Sequence, residues 1–367
     1  MEIKQQLISL KPYQPGKPIE EVKKQYGLEK IVKLASNENP FGSALSVKEA
    51  IQNSVDEMSL YPDGYAANLR ETVSNHLNVS QDQLIFGNGS DEIIQIICRA
   101  LLSPQTNTVM ATPTFGQYKH NAIIEGAEVR EVGLLDGKHD LEGMLEQIDL
   151  YTRVVWVCNP NNPTGTYVGK EALLSFVKEV PSTTLIVIDE AYYEYVKADD
   201  YLETLGLLDR FPNVLILRTF SKIYGLASLR IGYGVGNEEF IQQIEPVREP
   251  FNTSRFAQAA AIAAIKDQEF VDNCKEKNRE GLQQYEEFCR QHNLTYYPSQ
   301  CNFILIDFET FDGNEVFQYL LERGYIVRSG NALGFPTCIR ITVGKTEDND
   351  GIIALLTEML KANYQVS

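Results

Sequence analysis

The sequence predicts an α/β protein with a mostly parallel central sheet flanked by helices, joined to a smaller α+β domain. Its 367 residues suffice for about two domains. Short apolar runs without polar alternation recur along much of the chain, as strands buried on both faces require. Helical patterns separate these runs, and the C-terminal part changes character, with strands and helices at closer intervals.

Regular elements begin after an N-terminal stretch that is rich in proline and lysine. Within residues 1–41 only Ile19–Tyr26 has a helical pattern, so the rest is predicted to be an irregular arm. The next predicted elements are a helix at 68–77, a strand at 83–86, an amphipathic helix at 91–102, a strand at 108–111, a helix at 117–125 and a strand at 128–132.

Four continuous apolar runs define the centre of the predicted sheet. They are residues 154–158, 185–188, 214–217 and 231–235, and a helix-like segment at 170–180 separates the first two. Because the runs do not alternate, both faces of the sheet must be covered, which favours parallel strands.

The C-terminal part is predicted to form the smaller domain. After an alanine-rich helix at 256–265, it comprises a long charged helix at about 269–291, strands at 302–306, 325–327 and 338–343, and helices at 313–322 and 347–363. The predicted division is an arm at 1–40 that packs with the small domain, a large domain at 41–267 and a small domain at 268–367.

Composition narrows the function classes. The chain has 33 Lys and Arg against 50 Asp and Glu, a net charge of −17, which argues against a nucleic-acid partner. Six scattered cysteines without a C-x-x-C pair predict buried free thiols, and the four histidines form no metal-ligand motif, so no metal is expected. With neither a signal-peptide pattern nor an apolar run long enough for a membrane span, we expect a soluble cytoplasmic protein with no membrane partner.

Glycine-rich and polar segments follow four of the predicted strands. They are residues 87–92, 159–165, 189–192 and 218–222. In open α/β sheets ligands bind beyond the carboxyl ends of the strands, so these segments are expected at one edge of the sheet.

Residues 87–92 are compatible with two functions. Their glycines permit a tight turn, and the helix that follows offers free N–H groups to a phosphate. A plain helix start capped by Ser90 or Asp91 explains the same residues. The Walker motif is missing, and no G-x-G-x-x-G occurs in the chain, which counts against NAD or FAD.

Lys222 and Asp189 also have ordinary explanations, a solvated lysine and a turn carboxylate, although an unpaired buried carboxylate is costly. Together, however, the four strand ends meet one chemical requirement. A phosphorylated aromatic aldehyde needs a lysine for an imine, a carboxylate for its ring nitrogen and donors for its phosphate. The strand ends therefore predict a site for pyridoxal 5'-phosphate.

Three motifs resemble those of the fold-type I aminotransferases, the aspartate aminotransferase superfamily. They are Asn-Pro-Asn-Asn-Pro-Thr-Gly at 159–165, Asp-Glu-Ala-Tyr at 189–192 and Ser-Lys-Ile-Tyr-Gly-Leu-Ala-Ser-Leu-Arg at 221–230, in the order and spacing of that superfamily. The resemblance covers essentially the whole chain and implies the type I fold of pyridoxal-phosphate-dependent transferases.

Further motifs at 10–15, 37–40, 61–64 and 340–344 resemble class II members of the superfamily that act on L-histidinol phosphate. This likeness implies conversion of L-histidinol phosphate and 2-oxoglutarate to imidazole-acetol phosphate and L-glutamate, within histidine biosynthesis. The alternatives are an aromatic amino acid aminotransferase, alone or as a second activity, and a threonine-phosphate decarboxylase. A non-catalytic regulator that binds the same cofactor, or a binding protein without it, fits less well.

The resemblance also implies the cofactor contacts. Lys222 would form an imine with the cofactor and carry a proton to and from the substrate Cα. Asp189 would pair with the ring nitrogen, and Asn162 and Tyr192 would hydrogen-bond the phenolic oxygen. The phosphate contacts and the stacking ring would come from Arg230, Thr219, Ser221, the N–H groups of Ser90, Asp91 and Glu92, and Phe115. Relatives often carry Tyr in place of Phe115, and Gly in place of Ser228.

The substrate contacts implied by the resemblance are Arg340, Arg328, Tyr13, Tyr61 and Asn162. Tyr61 would come from a second subunit, which implies a homodimer with shared sites. Residues 338–343 alternate in polarity, so Arg340 is expected to point away from the packed face of its strand. Without the resemblance, a surface ion pair would explain Arg340 as well.

Overall fold

The computed structural model of the chain describes residues 2–8, 10–12 and 17–364. Its strands are β1 (Val32–Lys33), β2 (Leu84–Gly87), β3 (Asn107–Thr112), β4 (Glu128–Gly133), β5 (Thr152–Cys158), β6 (Leu185–Asp189), β7 (Val214–Thr219), β8 (Gly232–Gly236), β9 (Thr295–Tyr297), β10 (Phe303–Asp307), β11 (Tyr325–Ile326), β12 (Arg328–Ser329) and β13 (Cys338–Thr342). Its α-helices are α1 (Ile19–Tyr26), α2 (Leu45–Gln52), α3 (Ala67–Leu77), α4 (Ser90–Leu101), α5 (Gln117–Glu125), α6 (Leu141–Glu146), α7 (Lys170–Glu179), α8 (Glu238–Ile244), α9 (Arg255–Lys266), α10 (Gln268–His292), α11 (Gly313–Leu321) and α12 (Thr346–Tyr364).

The largest sheet has seven strands in the order β2-β8-β7-β6-β5-β3-β4. The pairs from β7 across to β4 are parallel, whereas β8 runs antiparallel to both β2 and β7. Apolar side chains cover both faces in two separate clusters, as the continuous runs require. The predicted mostly parallel sheet flanked by helices is confirmed.

The direction of β8 is a finding that its apolar sequence did not reveal. Two parallel neighbouring strands need a long crossover connection, usually an α-helix. Residues 220–231 join β7 to β8 without an α-helix. The chain therefore leaves β7 and re-enters the sheet at the same edge. This return keeps Lys222 and Arg230, which both lie in the connection, close to the end of β7.

A second sheet has four strands in the order β12-β13-β10-β9, and α10, α11 and α12 pack against it. The short strand β1 pairs with β11 in parallel, and Leu34 directly after β1 lies in the core of this second layer. The boundaries at 40 and 267 stay predictions, because Cys301 and Phe303, beyond 267, lie in a core cluster of the large sheet.

Several short elements were not predicted. They are α2, α6, α8, β1 and β9, each of two to eight residues, too short for a clear period in the sequence. The strand predicted at 325–327 corresponds to β11, which pairs with β1; β12 follows it as a separate strand that was not predicted and pairs with β13. All six cysteines are free and buried, as predicted. No helix within the described ranges is long and apolar enough to span a membrane.

Candidate active site

A cavity of about 910 Å³ lies at the carboxyl edge of the large sheet and is closed on one side by residues of the second sheet. The structure brings twelve of the predicted residues to its wall: Ser90, Asp91, Phe115, Asn162, Asp189, Tyr192, Thr219, Ser221, Lys222, Arg230, Arg328 and Arg340. Ligand-sized cavities have volumes of this order.

One part of the cavity wall is built around the start of α4. Its N-cap is Gly89 rather than Ser90 or Asp91, and no side chain caps the first-turn N–H groups. Arg230 lies beside this turn, where it donates to Ser221 Oγ at 3.2 Å and pairs with Asp91 at 3.1 Å. A Cβ at Gly89 would lie 2.6 Å from Arg230 Nη2, so only glycine permits this approach. Helix N–H groups beside an arginine suit a phosphate.

Lys222 lies on the cavity wall, in the connection after β7. Its Nζ lies 3.4 Å from the carbonyl oxygen of Ser36 and 5.5 Å from the centre of the Tyr192 ring. Burial, together with the positive charge of Arg340, lowers the pKa of Lys222 to about 8. About a tenth of the amine is therefore neutral at pH 7, far more than for an ordinary lysine, and the neutral form is the one that a nucleophile or a general base requires.

Asp189 ends β6 and is almost fully buried. Its carboxylate accepts hydrogen bonds from the Tyr118 hydroxyl at 2.6 Å and from the Ala191 N–H at 3.1 Å. Burial raises the pKa of Asp189 to about 6, even though both hydrogen bonds act to lower it. An ionised carboxylate buried in a cavity wall costs free energy, and a cationic group of a ligand can offset that cost.

Tyr192 and Asn162 contact different partners. The Tyr192 hydroxyl accepts a hydrogen bond from Asn37 Nδ2 at 2.9 Å, and burial raises the pKa of this phenol. Asn162 Oδ1 accepts from Arg340 Nη1 at 2.5 Å. The loop after β5 is thereby attached to the second sheet.

Arg340 faces the cavity from β13. It is buried and also donates from Nη2 to the Ala35 carbonyl at 2.9 Å. A surface ion pair, the alternative that the sequence left open, is therefore wrong. The predicted alternation is confirmed: Ile339, Ile341 and Val343 pack in the core of the second layer, and Arg340 points away from them into the cavity wall.

Of the predicted residues that the structure describes, Glu92 and Tyr61 are not on the cavity wall, and Tyr13 lies outside the described residues. The role predicted for Glu92 belongs to its backbone N–H in the first turn of α4, and its carboxylate accepts from the backbone N–H of Asn88 at 2.6 Å. Tyr61 is 79% exposed and stacks on Phe251 with ring centres 4.8 Å apart.

Two residues that contact the site were not singled out. Tyr118 hydrogen-bonds Asp189, and its only sequence signal is its position three residues after Phe115, at the predicted start of a helix. Asn37 has a left-handed backbone with φ 57° and bonds Tyr192. Asn37 is the first residue of the motif at 37–40, which contributed to the resemblance, but no function was predicted for it.

Comparison with known proteins defines the class of this one. The family model described as aminotransferase class I and II matches residues 29–356. The chain belongs to the aminotransferase class I and II family and has the fold that the motifs implied.

Within the family, the chain is similar to proteins named histidinol-phosphate aminotransferase. The one from Geobacillus sp. (strain WCH70) is 65% identical over 361 residues, 98% of this chain and 99% of the relative. The one from Bacillus subtilis (strain 168) is 63% identical, over 98% of this chain and 100% of the relative. The crystal structure of histidinol-phosphate aminotransferase from Sinorhizobium meliloti in complex with pyridoxal-5'-phosphate is 29% identical with a TM-score of 0.89, over 98% of both chains.

Proposed function

We propose that this chain is a pyridoxal 5'-phosphate-dependent aminotransferase of histidine biosynthesis. Its substrates are L-histidinol phosphate and 2-oxoglutarate, and its products are imidazole-acetol phosphate and L-glutamate. The observation that carries the proposal is one cavity lined by an amine of lowered pKa, a buried carboxylate and two arginines with different partners: Lys222, Asp189, Arg230 and Arg340. The names of the similar proteins support the choice of substrate.

The residues of the cavity fit the cofactor. Arg230, Ser221, Thr219 and the N–H groups at the start of α4 would hold its phosphate, and Phe115 would stack on its ring. Asp189 would accept a hydrogen bond from the protonated ring nitrogen, and Tyr192 and Asn162 would hydrogen-bond the phenolic oxygen. When bound, the cofactor supplies an electron sink for the charge left on the substrate Cα after proton loss.

Lys222 is the proton-transfer group of the chain. Its neutral amine would take the proton from the substrate Cα, and the resulting ammonium would return it to the carbon on the other side of the substrate nitrogen. A pKa of about 8 is close enough to neutral pH for both directions. Arg340 opposes the ammonium form and Asp91 favours it, so the charges around Lys222 keep the two forms within reach.

The substrates require anion binding at the opposite end from the cofactor phosphate. Histidinol phosphate carries a phosphate monoester, and 2-oxoglutarate carries a second carboxylate. A planar guanidinium binds both groups through two parallel hydrogen bonds. Arg340 and Arg328 line the cavity from the second sheet and would take this role in both half-reactions.

We also propose that the chain forms a homodimer in the cytoplasm. The side chain of Tyr61 is highly exposed, in a segment that also exposes Met58, Leu60 and Tyr65. A patch of large, exposed apolar side chains such as this one suits burial by a second copy of the chain. In that dimer, Tyr61 would complete the substrate site of the partner. The free, buried thiols support a reducing compartment.

The proposal is tested by single half-reactions of the cofactor-loaded protein, followed by cofactor absorbance. L-Histidinol phosphate is expected to convert the cofactor quickly to its amino form, and 2-oxoglutarate to restore it. Comparable conversion by phenylalanine would indicate an aromatic or dual enzyme, and carbon dioxide from O-phosphothreonine a decarboxylase. No spectral change with L-histidinol phosphate, phenylalanine or O-phosphothreonine would contradict an aminotransferase function.

A further inference from the structure

Tyr118 is a fully buried phenol in the first turn of α5, and the reaction outlined above does not use it. Its hydroxyl donates to Asp189 Oδ2 at 2.6 Å. Buried phenols need a partner for the hydroxyl, but any acceptor would satisfy that need. What distinguishes this one is that its acceptor is the cavity carboxylate.

The position of the phenol is fixed from behind. Its ring stacks on Trp156 with centres 4.7 Å apart and planes inclined by 12°. The indole N–H of Trp156 donates to Thr108 Oγ1 at 2.8 Å, and this hydroxyl donates to the Val154 carbonyl at 2.7 Å. Since β3 and β5 hold Thr108 and Trp156, the sheet itself determines where the Tyr118 hydroxyl points.

Tyr118 also touches a second wall of the cavity. Its ring packs edge-on against Phe115, with centres 5.5 Å apart and planes at 77°. Phe115 and Asp189 both line the cavity, the first as an aromatic face and the second as an anionic edge. One residue therefore contacts both groups that would enclose a flat, positively charged heterocycle.

We propose that Tyr118 is a positioning residue that holds Asp189 in the orientation and ionised form needed to bind the protonated ring nitrogen of the cofactor. This inference rests on the proposed function. Tyr118 does not touch the substrate or the reacting atoms, and it acts only through Asp189 and Phe115.

The physical consequence concerns the proton of Asp189. The hydrogen bond from Tyr118 lowers the pKa of this carboxyl, against the larger effect of burial. Without the hydroxyl, the neutral carboxylic acid would persist to higher pH. A neutral Asp189 pairs weakly with a protonated ring nitrogen, so cofactor binding would weaken first on the acidic side.

The test is Tyr118→Phe in the full-length chain. We expect about tenfold weaker binding of pyridoxal 5'-phosphate at neutral pH, by analogy with other groups that orient a ligand-binding side chain. The pH below which binding falls should move upward. In turnover, kcat should fall while KM for the amino donor stays close to that of the unchanged chain.

A readout without the cofactor separates this inference from the proposed function. The free energy of unfolding of the cofactor-free chain should change with pH as Asp189 ionises, and Tyr118→Phe should shift that change to higher pH. This measurement does not depend on whether the chain catalyses transamination. Absence of cofactor binding by the unchanged chain would instead contradict the proposed function.

Two comparisons complete the design. Tyr193→Phe removes a hydroxyl that donates to Glu203 at 2.8 Å away from the cavity wall, and it should leave cofactor binding unchanged. In an Asp189→Asn background, Tyr118→Phe should add little, because its effect acts through the carboxylate.

If Tyr118→Phe folds poorly, Thr108→Val loosens the same support and should cause a smaller shift in the same direction. Unchanged cofactor affinity and pH dependence in Tyr118→Phe would overturn the inference. So would an equal loss of affinity with and without the Asp189 carboxylate.

Discussion

The pKa values of Lys222 and Asp189 both differ from those of the free side chains. Burial lowers the pKa of Lys222 to about 8 and raises that of Asp189 to about 6, so each charged form costs free energy in the cofactor-free chain. Side chains with perturbed pKa values in one cavity are typical of catalytic sites. A ligand that supplies a cation to Asp189 and a bond to Lys222 would relieve both costs.

The first prediction is that Asp189→Asn stabilises the cofactor-free chain while abolishing transamination. The folded-state pKa of Asp189 is raised from 3.8 to about 6, so its ionisation reduces stability as the pH rises through that range. The amide removes this loss, and the Tyr118 hydroxyl can still bond to it. We expect the variant to gain about 1–3 kcal/mol above about pH 6 and little near pH 4.

Denaturant unfolding at several pH values checks this prediction. Asp149→Asn is the control of opposite sign, because hydrogen bonds to the Asp149 carboxylate, the one from Asn107 above all, lower the pKa of this carboxyl to about 2. Replacement of the Asp149 carboxylate should therefore destabilise the chain at neutral pH. A loss of stability in Asp189→Asn that is the same at every pH would show that Asp189 is not a strained carboxylate.

At the scale of elements, the connection between β7 and β8 determines the site. Thr219 at the end of β7 pairs with Gly232 at the start of β8, and Gly232 also pairs with Gly87 at the end of β2. The end of β2, from which the chain enters α4, and the connection that carries Lys222 are thereby brought to one edge. An added Cβ at Gly232 would lie 2.6 Å from the Ser90 nitrogen, so the approach is very close.

The sequence predicted the strands of this edge and the residues beyond them, because each strand end carries a distinct polar motif. It did not predict that β8 is antiparallel, since an apolar run has no direction. Nor did it predict the roles of Tyr118 and Asn37, which depend on partners 71 and 155 residues away. The role predicted for Tyr61 lies in the site of a second subunit, so a single chain does not test it and it stays a prediction.

The second prediction concerns the start of α4. Gly89→Ala should weaken cofactor binding about tenfold and lower the free energy of unfolding by about 1–2 kcal/mol. Gly89 has φ +73°, and the new methyl group would displace Arg230.

Gly27→Ala is the matched control, because Gly27 also has a positive φ, +66°, but a Cβ there meets nothing within 4 Å. Cofactor titration and denaturant unfolding measure the two effects. Equal cofactor affinity in the two variants would mean that this turn does not hold the phosphate.

For the whole molecule, residues 34–39 connect the two sheets. Leu34 packs in the core of the second layer, the Ser36 carbonyl lies by Lys222, and Asn37 bonds both Tyr192 and Thr342. Arg340 reaches the large-sheet loop at Asn162. The cavity therefore exists only while both layers are joined, which makes binding at the site sensitive to their relative position.

The third prediction tests the shared site of the proposed homodimer. Lys222→Ala and Tyr61→Ala should each be inactive or strongly impaired, but mixed under subunit exchange they should regain activity. In a mixed dimer one site has Lys222 from one chain and Tyr61 from the other, so about a quarter of all sites are intact at equal mixing. Activity that never exceeds the average of the two variants would place Tyr61 outside the partner's site.

The most direct measurement is to locate the covalently held cofactor. The loaded protein is reduced with borohydride and digested, and the peptides are identified by mass spectrometry. We expect the cofactor mass on the peptide that contains Lys222, and we expect no label on that peptide in Lys222→Ala. Lys11 and Lys119 also line the cavity, so they are real alternatives. A label on either of them, or no labelled peptide at all, would contradict the assignment of Lys222 as the reactive amine.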